Sequence, residues 1–263
     1  MKLSVTARSL GIVLLLLLCA TAVSAQSTTL APQRSVDSSV APCDRYGLPT
    51  VVRCIGHDLS GIVKGSSRRW LEVGGVLAGG SLLLDDEVVA AMAKPDKSAS
   101  FEFAEFLGDA GMQFGVPAAL YLVARATGSE GAQDVSIMLL RTQTVNGIVT
   151  RGLKLLPRPR PYQETATPTK GSFPSGHTSA AFATATVLQR KFGLKAGLPA
   201  YAVATFIGTS RLQNVHYLSD VTFGAALGIA SGLVMNVPGH GPAITPVIAP
   251  GKVGLSISIG GRP

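Results

Sequence analysis

The chain has 263 residues, 46% of them hydrophobic but only 6% aromatic, with a formal net charge of +8. That length gives one sizeable domain with few linkers, and apolar stretches dominated by Gly and Ala suit closely packed helices rather than a β-sandwich, which draws on β-branched and aromatic residues. The positive charge favours anionic partners such as phosphate esters or lipid headgroups, and with no basic run interleaved with aromatics no nucleic-acid partner is expected.

Residues 1–25 read as a secretory signal. Lys2 and Arg8 supply the positive start, Leu10 to Ala20 the apolar core, and Val23-Ser24-Ala25 the small-residue cleavage site. The chain is therefore expected to be exported, and to be periplasmic or membrane-associated. Residues 26–66, rich in Ser, Thr and Pro, are expected to form an extended arm. Removal of the leader leaves Cys43 and Cys54, an even pair that predicts one disulfide closing a short loop. No Cys/His pair stands at metal-ligand spacing, so no metal is expected.

Residues 67–238 carry the helical signal. Trp70 to Ala93 is apolar, is interrupted by Asp85-Asp86-Glu87, and stops at Lys94-Pro95. Phe101 to Arg125 predicts an amphipathic helix, and Ala132 to Leu156 a third, stopped by Pro157. A Pro- and Thr-rich loop then leads to helices expected over Ser175 to Phe192, Leu198 to Ser210 and Ser219 to Val237, the last ended by Pro238-Gly239. The tail, 239–263, alternates apolar and small residues over Val253 to Ile259, the period of a strand. Val221 to Val237 is a charge-free run at the lower edge of a membrane span. The other helices carry charges or shorter apolar runs, which places a soluble or peripheral bundle ahead of an integral one.

Three clusters carry chemistry. In Arg151-Gly-Leu-Lys154-Leu-Leu-Pro-Arg158-Pro-Arg160-Pro161, several cations gather at a helix end. Guanidinium forks suit phosphate oxygens and an ammonium adds a compact charge, although a solvated basic helix end would look the same. Ser172-Phe-Pro-Ser175-Gly176-His177 sits where a loop becomes a helix. Ser175 is a plausible N-cap, Gly176 admits close approach to the backbone, and the free N–H groups favour an anion. His177, just inside, can pass a proton to a leaving oxygen. In Ser210-Arg211-Leu-Gln-Asn-Val-His216-Tyr-Leu-Ser-Asp220, His216 and Asp220 stand four residues apart. A carboxylate on one ring nitrogen fixes the tautomer and makes the other nucleophilic. Taken singly, the first is better explained as a solvated basic helix end and the third as a His–Asp capping pair. All three lie at ends of apolar helices, so a bundle can gather them around one anion-sized hole.

These clusters resemble the type 2 phosphatidic acid phosphatase superfamily, which also includes bacterial acid phosphatases and vanadium-dependent haloperoxidases. Its signature is Lys, six residues, Arg-Pro; then Pro-Ser-Gly-His; then Ser-Arg, five residues, His, three residues, Asp. The resemblance covers Trp70 to Val237 and includes an intact Pro-Ser-Gly-His. Both outer motifs are one residue shorter than usual: five residues separate Lys154 from Arg160-Pro161 and four separate Arg211 from His216. Six residues separate Arg151 from Arg158-Pro159, so Arg151 and Arg158 are alternatives to Lys154 and Arg160. The resemblance implies an all-α fold with a six-helix core and a metal-independent phosphatase without cofactor, acting on phosphate esters or lipid phosphates, with a membrane surface as a further partner. It implies His216 as nucleophile, Asp220 orienting it and His177 as general acid. Lys154, Arg160, Ser175, Gly176 and Arg211 would hold the phosphoryl oxygens. A vanadate-dependent haloperoxidase and a non-catalytic exported scaffold are the competing readings.

Overall fold

The structure, a computed structural model, describes residues 49–93, 99–161, 171–213, 215–235, 243–249 and 252–258. The leader, Cys43 and most of the arm lie outside these residues.

The described chain begins with two short helices, α1 (Thr50–Arg53) and α2 (Ile55–Gly61). The extended arm expected to run through residue 66 is therefore corrected for this stretch. The reason is tertiary. Asp58 of α2 is buried and accepts two hydrogen bonds from buried Arg141, at 2.9 and 2.7 Å. Cys54 beside it is disulfide-bonded and fully buried. A bidentate pair out of water, plus a covalent tie, outweighs the weak helix propensity of a segment carrying Val51, Val52, Gly56 and Gly61.

Next come α3 (Gly65–Ser81), a 3₁₀ turn (Leu82–Leu84) and α4 (Asp85–Met92), the break falling at the acidic trio. The single helix expected over 101–125 is two, α5 (Ala99–Gly108) and α6 (Ala110–Thr127), bent by 57°. Asp109 turns the chain between them, its carboxylate accepting from Gly111 N–H at 2.7 Å as an N-cap. Then follow α7 (Glu130–Leu153), α8 (Gly176–Phe192), α9 (Leu194–Ser210) and α10 (Leu218–Val234). Helix α9 starts at Leu194, earlier than the expected Leu198, and so carries Pro199 in its interior, beyond the first turn. The six helices α3, α6, α7, α8, α9 and α10 form the all-α core. The strand-like tail is an antiparallel hairpin, β1 (Ala243–Ala249) with β2 (Lys252–Ser258), whose first strand contacts α3.

Small residues decide the packing. Helix α10 lies between α3 and α8, and its Gly224, Gly228 and Gly232 form a ridge four residues apart along the α8 side. A Cβ on Gly224 would stand 2.8 Å from the Ser175 carbonyl oxygen, and one on Gly232 would stand 2.5 Å from Thr186 Cβ. Such a stripe lets backbones approach more closely than Leu or Ile would. It also ties the starts of the two helices together: Ser175 N–H donates to the Asp220 carbonyl at 3.1 Å. Among the described residues no single helix is long and apolar enough to cross a membrane, and the bent pair α5–α6 passes only when its halves are joined.

Candidate active site

Four helix ends meet. The C-terminus of α7 brings Lys154, the end of α9 brings Arg211, the start of α8 brings Ser175, Gly176 and His177, and the start of α10 brings Asp220, with His216 two residues before that helix. Lys154 lies four residues beyond buried Thr150, so the two share the inner face of α7. Its stem passes the start of α8, where a Cβ on Gly176 would be 3.9 Å from Lys154 Cε. Its ammonium donates to the Gly171 carbonyl at 3.0 Å. Arg151, one residue after Thr150 and so about 100° from it around the helix, is exposed.

Lys154, Arg160 and Arg211 are electrostatic neighbours. Burial holds Lys154 down to about 8, helped by Arg160 and Arg211, with Asp220 opposing. Burial and then Arg211 also lower Arg160. Arg211 is buried; its Nη1 meets the Glu105 carboxylate at 3.0 Å, and its Nε has no acceptor among the described residues. Three partly desolvated cations with an unused N–H form a site suited to an oxyanion.

His216 is almost fully buried. Its Nδ1 lies 3.2 Å from Ser172 Oγ and 3.5 Å from Asp220 Oδ2, and Ser172 Oγ donates to the same Oδ2 at 2.5 Å. Ser172 has one proton and gives it to the carboxylate. Its oxygen can therefore only accept from the ring, and Nδ1 must carry hydrogen. Nε2 is then the nitrogen with the lone pair. Burial, followed by the Arg160 and Lys154 charges and opposed by the Asp220 contact, holds His216 down to about 4, so the ring is neutral at pH 7. Burial alone would push Asp220 up. The bonds from His216, Ser172 and Tyr217 N–H, with the Arg158 charge, outweigh it and keep the carboxylate ionised.

His177 stands at the start of α8 with its ring against α5: a Cβ on Gly108 would be 3.1 Å from His177 Cδ2. Burial and Arg211 hold it to about 4, opposed by Glu105 and Asp109. Ser175 occupies the N-cap position, but its side chain does not cap the helix. Its hydroxyl lies 2.8 Å from Thr178 Oγ1, which leaves the first-turn N–H groups to another acceptor.

Arg158 does not join the three cations. Its guanidinium is bonded to Asp85 and Ser219 and lies beside Asp220. Of the two arginines open in the sequence, Arg160 couples to Arg211 and His216, and Arg158 is engaged by acids. Sequence reasoning assigned no role to Ser172, Asp85 or Glu105. Ser172 stands two residues before the Pro-Ser-Gly-His string, and the helix break at Asp85 was visible; nothing local marks Glu105.

Residues 135–238 match the sequence family described as the PAP2 superfamily. Over 92 residues the chain is 40% identical to a lipid A 1-phosphatase of Porphyromonas gingivalis, 34% of this chain and 20% of that protein. Over 75 residues it is 39% identical to a decaprenylphosphoryl-5-phosphoribose phosphatase of Mycobacterium tuberculosis, 28% of this chain and 41% of that one. The matches thus span a fifth and about two fifths of these relatives. Among solved structures, LpxE of Aquifex aeolicus aligns with TM-score 0.47 and 23% identity, over 58% of this chain and 94% of that one. A transmembrane PAP2-type phosphatidylglycerolphosphate phosphatase of Bacillus subtilis aligns with TM-score 0.42 and 17% identity, over 71% and 92%.

Proposed function

From the match of residues 135–238 to the PAP2 superfamily, we propose that the chain is a phosphoric ester hydrolase of that kind, working through a phosphohistidine on His216. The observation that carries the reading is the pairing of a tautomer-fixed imidazole with three cations. Ser172 and Asp220 hold hydrogen on Nδ1, while Lys154, Arg160 and Arg211 are electrostatic neighbours of one another, and Lys154 and Arg160 of His216.

In this mechanism Lys154, Arg160, Arg211, Ser175 and the Gly176 amide hold the phosphoryl oxygens. Their fixed charge stabilises the equatorial oxygens of the transition state. His216 Nε2 forms a bond to phosphorus as the bond to the ester oxygen breaks, and His177 gives its proton to that oxygen. Water then attacks phosphorus as His177 takes its proton; the P–Nε2 bond breaks, its electron pair returns to His216, and phosphate leaves. With a value of about 4, His177 is neutral in the unliganded protein at pH 7. Its proton is acquired with the substrate, because a bound phosphoryl group offsets Arg211 and favours the imidazolium. Asp220 stays ionised throughout and stabilises charge on the His216 ring.

The substrate is a lipid phosphate. Leu155 and Leu156, directly after Lys154, are 78% and 52% exposed. Leu83, in the turn leading to Asp85, is 89% exposed, and Phe103, two residues before Glu105, is 54% exposed. Apolar side chains beside a cationic pocket suit an anionic headgroup carrying hydrocarbon, and the two curated relatives are named for lipid phosphates. We place the mature chain outside the cytoplasm, at a membrane surface, on its leader and this rim.

The test is a chelator-treated hydrolysis assay with p-nitrophenyl phosphate and with a lipid phosphate in mixed micelles. The expected result is phosphate release, faster from the lipid, and its loss in His216→Ala. Undiminished turnover in that variant eliminates the mechanism; equal rates on both substrates eliminate the lipid assignment.

A further inference from the structure

We propose that Asp85 and Arg158 are positioning residues, forming an outer chain that holds Asp220 and the first turn of α10 in the geometry that fixes the His216 tautomer. The proposal rests on the phosphohistidine reading for its kinetic consequence, but its geometry is independent of it.

Arg158 Nη2 donates to Asp85 Oδ2 at 2.7 Å and to Ser219 Oγ at 3.0 Å. Its Nη1 lies 2.9 Å from Asp220 Oδ1, an ionic contact whose alignment falls short of a hydrogen bond. Its guanidinium covers the Tyr217 ring at 4.6 Å. One side chain thus touches three of the four residues from Tyr217 to Asp220. Asp85 grips the same turn from the other side. Its Oδ1 accepts from Ser219 N–H at 2.9 Å and its Oδ2 from Ser219 Oγ at 2.6 Å. Ser219 N–H belongs to the helix's first turn, whose amides have no intrahelical acceptor. Asp220 already receives Tyr217 N–H in a capping box. A buried carboxylate from α4, 134 residues away in sequence, supplies the next acceptor.

The two oxygens of Asp220 therefore have separate tasks. Oδ2 takes Ser172 and the His216 side, and Oδ1 faces Arg158. A fork held by two acids on two elements cannot slide without breaking contacts at Asp85, Ser219 or Asp220, and fixed supports of this kind hold a functional side chain within productive limits. The engagement of Arg158 by Asp85 also keeps it out of the substrate pocket, which separates its role from that of Arg160.

Besides Arg158, the groups facing Asp220 are His216, Lys154, Arg160 and the Tyr217 hydroxyl, with Asp85 and Asp86 behind. Removing Arg158 deletes the positive charge nearest Oδ1, and Asp220 then binds a proton more readily. A protonated Asp220 no longer holds hydrogen on Nδ1, so the low-pH limb of the rate profile moves to higher pH.

Arg158→Met, Arg158→Lys and Asp85→Asn are made in the full chain. The expected result is kcat reduced about 10- to 100-fold in Arg158→Met with KM changed less than threefold, as for losses of outer support elsewhere. Its acid limb shifts upward, and Arg158→Lys recovers part of kcat. In Asp85→Asn the loss is smaller, because the amide oxygen still accepts from Ser219. Nitrogen-15 spectra of the imidazoles are read in parallel: His216 is the Nδ1–H tautomer in the wild type and a mixture in Arg158→Met. A rise in KM at constant kcat makes Arg158 a substrate ligand and overturns the proposal. So does a loss of kcat matched by the unfolded fraction, with pH profile and tautomer unmoved. Should the wild type hydrolyse nothing, the spectra still decide the positioning claim while the phosphatase reading falls alone.

Discussion

Lys154 offers a quantitative test of the anion pocket. In the unliganded protein its ammonium is held to about 8 by burial and by Arg160 and Arg211. A bound dianion reverses the sign of the local field, so the liganded form keeps Lys154 charged well above that value. Affinity then follows the fraction of Lys154 protonated in the free protein. That fraction falls about tenfold from pH 7 to pH 9, a loss of about 1.4 kcal/mol. Sulfate suits the assay because it remains a dianion across the range. His216 is already neutral there, arginines do not titrate, and the titrations are run in a His177→Asn background, which removes the imidazole that gains a proton with the anion. Calorimetric titration with sulfate at both pH values should show the tenfold weakening, with proton uptake at the higher pH revealed by a dependence on buffer ionisation heat. Lys154→Arg should bind with no such dependence. In that background, an affinity that stays constant across the two pH values with Lys154 present, or an equal slope once Lys154→Arg is added, refutes the placement of Lys154 against the anion.

Other substitutions separate the residues by role. Arg160→Ala should lower kcat/KM about 10²- to 10³-fold, as for loss of a preorganised donor, whereas exposed Arg151→Ala should leave steady-state kinetics close to wild type. Gly108→Ala places a methyl 2.8 Å from the Ile207 side chain and 3.0 Å from His177 Cβ. Displacing His177, the proposed general acid, in this way should lower kcat by up to about 10²-fold, with circular dichroism showing the helices intact. Arg141→Met strands the Asp58 carboxylate in the interior. It should cost about 3–5 kcal/mol in chemical denaturation, with the surviving folded enzyme keeping its KM.

What the sequence disclosed follows from where the information is local. Gly- and Ala-rich apolar runs announced closely packed helices, and the Gly224, Gly228 and Gly232 ridge is the physical form of that composition. Pro-Ser-Gly-His gave the start of α8 because a helix N-terminus is encoded within a few residues. The competition between Arg151 and Lys154 was not resolvable from spacing. It is resolved by helix phase, since Lys154 follows buried Thr150 on one face and Arg151 points outward. The division between Arg158 and Arg160 was illegible for another reason: the acid that engages Arg158 is Asp85, 73 residues earlier, which in sequence is only a helix interruption. Glu105 on Arg211 and Arg141 on Asp58 are similarly long-range pairings. The latter explains why residues 50–61 fold into α1 and α2 rather than remaining extended.

The most direct measurement is a rapid acid-free quench of the wild-type enzyme with labelled substrate, followed by mapping of the phosphorylated peptide. The account predicts an acid-labile phosphoryl group on His216, formed before phosphate is released and absent from His216→Ala. Turnover with no phosphoenzyme at any time, or a label on a residue other than His216, would contradict it.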